Sequence, residues 1–437
     1  MRTSQVVAYA PAFGRRAPFD RDPRGGEMVI RGFPRLGATL VVWLALAAMG
    51  TPSFANTDPA FTGIAAPADD AVSANTNPAG LTRIQRPEWV GQAIIYSGES
   101  EFVVTTTDTG ERFKDDNSSS TFVPTFYYAR PLTDRLGFGI YLTGMTTSDD
   151  YDDDGAQRFR IEDYTLGYAA AVPSLAYRLN DKWSLGAGLA INYSFYELNT
   201  AIFLGEGQPE GRLELDADDV NLSFVLGALY EHSPRTRLGL TYTSERDPEL
   251  SGTPDAKGVP DPIKNLLERE IALQTTFPQT LIGGFYHELE SGSEVTFDLL
   301  WTEFSEFGFS EISVGDLGNS IQVDVQDFDN TWGASVGYSR PLNDLWTVKV
   351  GGLYFDSPVS DENRTVTWRL DDLWGLGVGA ERRFSDRRIL GFNLNYLDIG
   401  EAPLSVEDPA AGTLVGKFSE RYGILLDLSF RWITRGS

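Results

Sequence analysis

Residues able to do chemistry are few in this chain. It has two histidines, His232 and His287, and no cysteine. A thiolate nucleophile, a disulfide and a thiolate metal site are therefore excluded, and a Ser/His/acid or His-rich metal centre has almost nothing to build on. Acids abound, with 62 Asp and Glu against 36 Lys and Arg, so carboxylate pairs arise by chance and identify no acid–base site. The densest run, residues 149–155, spaces Asp150, Asp152, Asp154 and Gly155 as a calcium loop does. The bidentate Glu of such a loop belongs at its twelfth position, which is Ile161, with Glu162 one residue late. A solvated loop is the better reading. No catalytic residue, no metal site and no cofactor is expected.

The elements behind these residues begin with a leader. No apolar run reaches the ~18–20 residues of a membrane-spanning helix. The longest, residues 36–50, follows Arg31 and Arg35 and runs on to Ser53-Phe54-Ala55, the pattern of a secretory signal peptide. Met28 opens a conventional signal over 28–55. Residues 1–27 read as an over-called extension, with Arg15 and Arg16 too far from the apolar core for a twin-arginine signal. The mature chain is expected to begin at Asn56. Residues 1–55 hold seven basic and three acidic residues, so the remainder carries 29 and 59, a net charge near −30. Nucleic acid, whose phosphates such a chain repels, is excluded as a partner.

From Glu88 onward one pattern repeats: a strand alternating with period two, a tight polar turn, a second such strand, then a longer acidic or Pro/Gly-rich connection. Six tight turns fall at 131–135, 179–182, 232–236, 289–293, 341–344 and 384–387. Alternating with seven long loops they give fourteen strands, and short turns on one side with long loops on the other is how bacterial barrels are built. In the last strand Tyr422, Ile424, Leu426, Leu428, Phe430 and Trp432 share one face. Arg421, Gly423, Asp427, Ser429 and Arg431 share the other, with Leu425 the exception. Strand 183–196 behaves alike. Aromatics gather at both ends of the apolar faces, and the opposite faces are rich in Gly, Ser and Asn, which suits a confined lumen better than a solvated sandwich surface. The expected fold is all-β: a 14-stranded antiparallel transmembrane β-barrel over 88–437. Both histidines then lie at or near periplasmic turns, far from any outer-leaflet hydrolase site.

Ahead of the first strand stands Asn77-Pro78-Ala79-Gly80-Leu81. Its Asn-Pro-Ala, so placed, resembles the hatch of the FadL/TodX/OMPP1 family of outer-membrane transporters for hydrophobic compounds. Further likenesses follow in order: Pro124, Pro173 and Pro278 early in strands leading to periplasmic turns, Trp301 in the ninth strand, and the run 353–358 with Tyr354, Asp356 and Pro358. Each proline is expected to mark a bulge or a strand start. The resemblance implies an N-terminal hatch, residues 56–87, inside the lumen. Family hatches open with Gly-Phe and a longer Gly/Ala-rich stretch. Here Phe61-Thr62-Gly63 is the nearest counterpart, so the plug is expected to be short.

Hatch gating is assigned to Asn77, Pro78, Ala79, Gly80 and Leu81, with Pro78 fixing its own φ and Gly80 permitting a reversal. In the fourth outer loop Asp261 is read as N-cap and Pro262 as first helical residue. Ile263, Leu266 and Leu267 then make one apolar edge, and by resemblance it captures the ligand; a helix merely capping the mouth is the alternative. Gly137, Gly139 and Gly144 could kink the third strand for lateral release. A carboxylate ligand needs a cation, for which Lys349, Arg369 and Arg421 are candidates if they face inward. The implied function is passive uptake of a hydrophobic small molecule, a fatty acid or an aromatic hydrocarbon, by a monomer in the bacterial outer membrane. Its further partners are outer-membrane lipid, lipopolysaccharide and, through the aromatic C-terminal strand ending at Trp432, the barrel-assembly machinery. A structural or adhesive barrel predicts a filled lumen, a polar porin a wide lumen without a hatch, and a secreted sandwich no membrane location.

Overall fold

A computed structural model describes residues 58–107, 113–150, 162–205, 208–315, 320–322, 328–361, 364, 371–408 and 412–434. The expected extension and signal, Asn56, residues 151–155 of the acidic run, and Arg369 lie outside them.

Fourteen strands form the wall: β1 (Glu88–Thr107), β2 (Phe113–Pro131), β3 (Leu136–Asp150), β4 (Asp163–Arg178), β5 (Trp183–Ile202), β6 (Gly211–Ser233), β7 (Thr236–Thr243), β8 (Thr280–Glu288), β9 (Glu294–Thr302), β10 (Thr331–Pro341), β11 (Trp346–Phe355), β12 (Leu373–Ser385), β13 (Arg388–Asp398) and β14 (Gly412–Ile433). Each pairs antiparallel with its chain neighbours. The last returns to the first, with Trp89 opposite Trp432 and Ala93 opposite Leu428. Closure pairs every strand on both sides and leaves no edge, the condition for crossing lipid with strands. All six expected turns join consecutive strands on one side. On the other, strands such as β6, 23 residues long, rise well beyond the ~9–11 residues a crossing needs. Short loop strands prolong them: Ile271–Thr276 pairs with both Glu249–Gly252 and Gly308–Val314.

Alternation sorts the two faces. On β5, Leu185, Leu189 and Ile191 are exposed toward lipid, while Ser184, Asn192 and Ser194 are buried inside. Aromatic pairs mark both rims of the outer face: Trp89 with Tyr128 (4.1 Å) and Trp183 with Tyr230 (4.8 Å) toward the turns, Trp374 with Tyr396 (5.7 Å) toward the loops. Rings with one polar edge suit the lipid–water boundary. Leu425, the exception in the last strand, points inward and packs with Ile94 and Tyr96 in the lumen.

The prolines differ from expectation. Pro278 does precede the start of β8, but Pro124 and Pro173 stand mid-strand and cause neither bulge nor strand start. Thr121 and Phe122 pair with Thr147 and Thr146, pairing resumes at Thr125 and Thr143, and the two positions between are missing from the β2–β3 ladder. The same interruption without change of register occurs beside Pro173 in the β4–β5 ladder. Proline removes one donor, and the continuous partner strands on the far side hold the register across the gap.

Residues 58–86 fold back into the barrel. They comprise short 3-10 turns at Pro59–Phe61 and Pro78–Arg83 around one helical turn, α1 (Ser73–Thr76). Nearly all of residues 59–81 are buried.

Candidate functional site

The inner segment is held by side chains of the wall. Asn77 is extended, as a residue before proline should be, and its Oδ1 accepts the N–H of Ala79 at 3.1 Å. Its Nδ2 donates to the carbonyls of Ala65 (2.7 Å) and Ala228 of β6 (3.1 Å). One side chain thus ties the segment's two halves to each other and to the barrel. Pro78 opens the following 3-10 turn. Gly80 is not left-handed; it is needed because a Cβ there would stand 2.6 Å from Ala68 Cβ and 2.9 Å from Ser73 Oγ, which corrects its reading as a reversal. Ala79 and Leu81 are fully buried.

The first half rests on β9 and β13. Asp298, 1 % exposed on the inner face of β9, accepts the N–H groups of Gly63 (2.8 Å), Ile64 (3.1 Å) and Ala65 (3.2 Å). Asn395 Oδ1 accepts the N–H of Ala60 at 2.7 Å. Ala60 and Phe61 both have positive φ, near 51° and 50°, a conformation non-glycine residues hold only where surroundings enforce it. Thr241 and Ser174 donate to the carbonyls of Thr76 (2.8 Å) and Ala74 (3.1 Å) in the second half. Among the described residues, no backbone-to-backbone hydrogen bond joins residues 58–86 to the strands.

Below, on the turn side, a cavity of about 430 Å³ is lined by charged groups including Asp58, Asp70, Arg237, Lys349, Glu381 and Arg431. Burial raises the carboxyls of Asp58 and Asp70 above the ordinary range, although Lys349 pulls the first down and Arg431 the second. Above the plug the lining is apolar: Ile94, Tyr96, Tyr164, Tyr196, Leu300 and Leu353 form one continuous cluster with Phe61 and Ile64 of the inner segment. Its loop-side end stacks Phe304, Phe307 and Phe328 with centroids 5.3–6.3 Å apart. The apolar side chains above favour contact with a greasy molecule, and the charged cavity below resists it.

The remaining expected residues are scattered. Lys349 does face inward, but its ammonium is held by Asp58 and by Glu381 (2.6 Å), so it fastens the inner segment instead of standing open to a ligand. Arg421 is buried beside Asp371, which also pairs with Arg364 at 3.4 Å. The loop helix α2 spans Asp261–Leu267 with Pro260 as its N-cap. Asp261 therefore lies in its first turn and not at the cap. Ile263 and Leu266 are exposed and Leu267 is half-buried. Gly137 and Gly139 sit where the inner segment touches the wall: a Cβ would stand 2.3 Å from Leu81 O and 2.8 Å from Leu81 Cδ2 respectively. β3 pairs with β4 in unbroken register, so neither is at a kink. Gly144 is different, for it lies opposite Pro124 at the interruption of the β2–β3 ladder. Sequence reasoning passed over Asp298. Its signal was a charge in the middle of the inward set Glu294, Thr296, Asp298, Leu300 and Thr302, against outward Phe297 and Leu299.

Comparison with known proteins identifies the barrel. The family described as outer membrane protein transport protein (OMPP1/FadL/TodX) matches residues 38–425. The chain belongs to this family. It is 24 % identical over 403 residues to the long-chain fatty acid transport protein of Escherichia coli strain K12, covering 82 % of this chain and 90 % of that one. The fold is shared with a Pseudomonas aeruginosa FadL homologue (TM-score 0.75, 19 % identity, 88 % of this chain and 99 % of the other). It is shared also with the Ralstonia pickettii toluene transporter TbuX (TM-score 0.61, 14 % identity, 89 % and 100 %). Like the rest of the OMPP1/FadL/TodX family, the protein is an outer-membrane β-barrel.

Proposed function

We propose that this barrel is a passive channel for hydrophobic small molecules, gated by the segment around residues 77–81. The observation that carries the reading is the division of the lumen: apolar above the inner segment, charged below, with the segment between them joined to the strands, among the described residues, by side-chain hydrogen bonds and by none between backbones. The relatives named for long-chain fatty acids and toluene support a hydrophobic solute, whether an acid or a neutral aromatic. In this reading the apolar edge of α2, Ile263, Leu266 and Leu267, collects the solute at the mouth. The aromatic upper lumen then receives it. Displacement of residues 77–81 opens the way, and the β2–β3 interruption at Gly144 is the exit into the bilayer. No bond is made or broken, and the gradient of a greasy solute across the lipopolysaccharide leaflet supplies the drive.

The test is intrinsic tryptophan quenching of the detergent-purified barrel by oleate and by naphthalene, beside a variant lacking residues 56–81. Saturable binding weakened by the deletion supports gated uptake. Absence of saturable binding to either probe would leave a structural barrel as the better account.

A further inference from the structure

On β10–β13 the outward residues are apolar or aromatic through the span, and their charges stand only at the ends. Arg340, Arg382 and Arg388 lie beside the turns, and Asp398 lies beside the loops. The three arginines are exposed. None makes an ion pair or a side-chain hydrogen bond with any described residue. Neighbouring acids are engaged elsewhere: Glu381 points inward to Lys349, and Asp386 in the turn is taken by Arg387 at 3.8 Å. In a chain of net charge −26, three unanswered cations in one sector run against the overall balance.

Rings position two of them. Arg382 Cζ stands 5.4 Å from the centroid of Trp346 and 4.8 Å from that of Phe384, and Arg388 Cζ stands 5.8 Å from that of Trp432. All three rings are exposed on the outer face. A guanidinium over a ring is held by the ring's negative face, while its five N–H donors stay free at its edge. Arg382 is the ladder partner of Leu390, so Arg388 lies one outward position along the adjoining strand, about 7–8 Å away between backbones. Two forks rooted at that spacing can converge on one tetrahedral anion. The loop-side rim is built differently. There Tyr354 donates to Asp372 at 3.0 Å and Tyr422 donates to Glu99 at 2.5 Å.

Short turns face the periplasm, so the arginine-bearing rim meets the phospholipid leaflet and the acidic rim meets lipopolysaccharide. Leu390 and Phe392, the next outward residues after Arg388, are exposed to the lipid tails. A soluble partner would have to push lipid aside to reach the arginines, whereas a headgroup already lies at that depth. We propose that Arg382 and Arg388, with Arg340 beside them, seat the phosphate of an anionic phospholipid of the inner leaflet. Its chains then lie along the apolar outer face of β12 and β13. This site is on the outside of the wall and does not depend on the channel reading.

The experiment is native mass spectrometry of the full mature barrel in detergent, titrated with phosphatidylglycerol and with phosphatidylcholine of the same acyl chains. Heat-modifiable migration on gels checks that each variant is a closed barrel. The wild type should retain phosphatidylglycerol in preference to phosphatidylcholine. An arginine near an anionic surface is worth about fivefold in binding. Replacing both Arg382→Gln and Arg388→Gln should therefore weaken phosphatidylglycerol by about 25-fold and leave phosphatidylcholine nearly unchanged. Arg382→Lys with Arg388→Lys, which keeps the charge without the fork, should retain part of the preference and serves if the Gln pair fails to fold. Lys182→Gln, which removes an exposed cation at another turn, should change neither lipid. Equal weakening by Lys182→Gln, or a wild type without headgroup preference, would overturn the site. Displacement of the lipid by millimolar inorganic phosphate would assign the arginines to a soluble anion and overturn it also.

Discussion

Replacing Asp298 by Ala should free the first half of the inner segment while the wall stays closed. The carboxylate accepts three successive N–H groups, of Gly63, Ile64 and Ala65, at 2.8–3.2 Å, and hydrogen bonds to a charged acceptor are worth about 1.5–3 kcal/mol each. Removing a buried anion also returns its desolvation cost, so the net preference for the docked state should fall by about 2–4 kcal/mol. That raises the displaced population by about 30- to 1000-fold. Hydrogen exchange read by mass spectrometry on a peptide covering 58–66 gives the number directly, because protection there reports release without global unfolding. Peptides from β13 and β14 serve as the internal control. Asp298→Asn, which keeps one carbonyl acceptor and loses the charge, should fall between. If the Ala variant protects Gly63, Ile64 and Ala65 as well as the wild type does, the carboxylate does not hold the segment and the account of its docking is wrong.

Two further outcomes follow from the geometry. Gly239→Val would place a Cβ 1.9 Å from Ala65 O, with backbone on both sides. It should therefore displace the inner segment and produce ligand-independent ion conductance in planar bilayers; silent channels would show that the lumen tolerates the clash. Val378 is 57 % exposed on the outer face midway along β12. An arginine there should destabilise the membrane-inserted barrel by about 2–4 kcal/mol, read from urea titration of vesicle-folded protein. An unchanged midpoint would mean that this face does not meet lipid.

The wall was largely legible because a barrel in lipid obeys two local rules, strict alternation and short turns on one side, and each can be read within a dozen residues. Even the misfit Leu425 obeyed register and proved to be a lumen residue. Interior assignments fared differently because they depend on what lies across the barrel. Lys349 looked available for a ligand until Asp58 and Glu381 were seen to hold it. Gly137 and Gly139 looked like flexible points until Leu81 was found against them. Pro124 and Pro173 suggested strand boundaries, but neighbouring strands carried the register past them. Asp298 was invisible for the opposite reason. In a chain with 62 acids and 36 basic residues, one inward charge gains meaning only when its partners, or their absence, can be inspected.

That, among the described residues, no backbone-to-backbone hydrogen bond ties the inner segment to the wall has a consequence for how the protein is made. The segment leads the chain, yet its supports arrive 100 to 335 residues later, from Ser174 to Asn395. Contacts of such separation are slow to form and yield nothing until the intervening chain is ordered. Closure of the first strand on the last spans residues as distant, Ala93 with Leu428, and it needs no help from residues 58–86 to complete its ladders. The architecture therefore allows a closed barrel whose inner segment is undocked, with the same interactions unmade that gating would break.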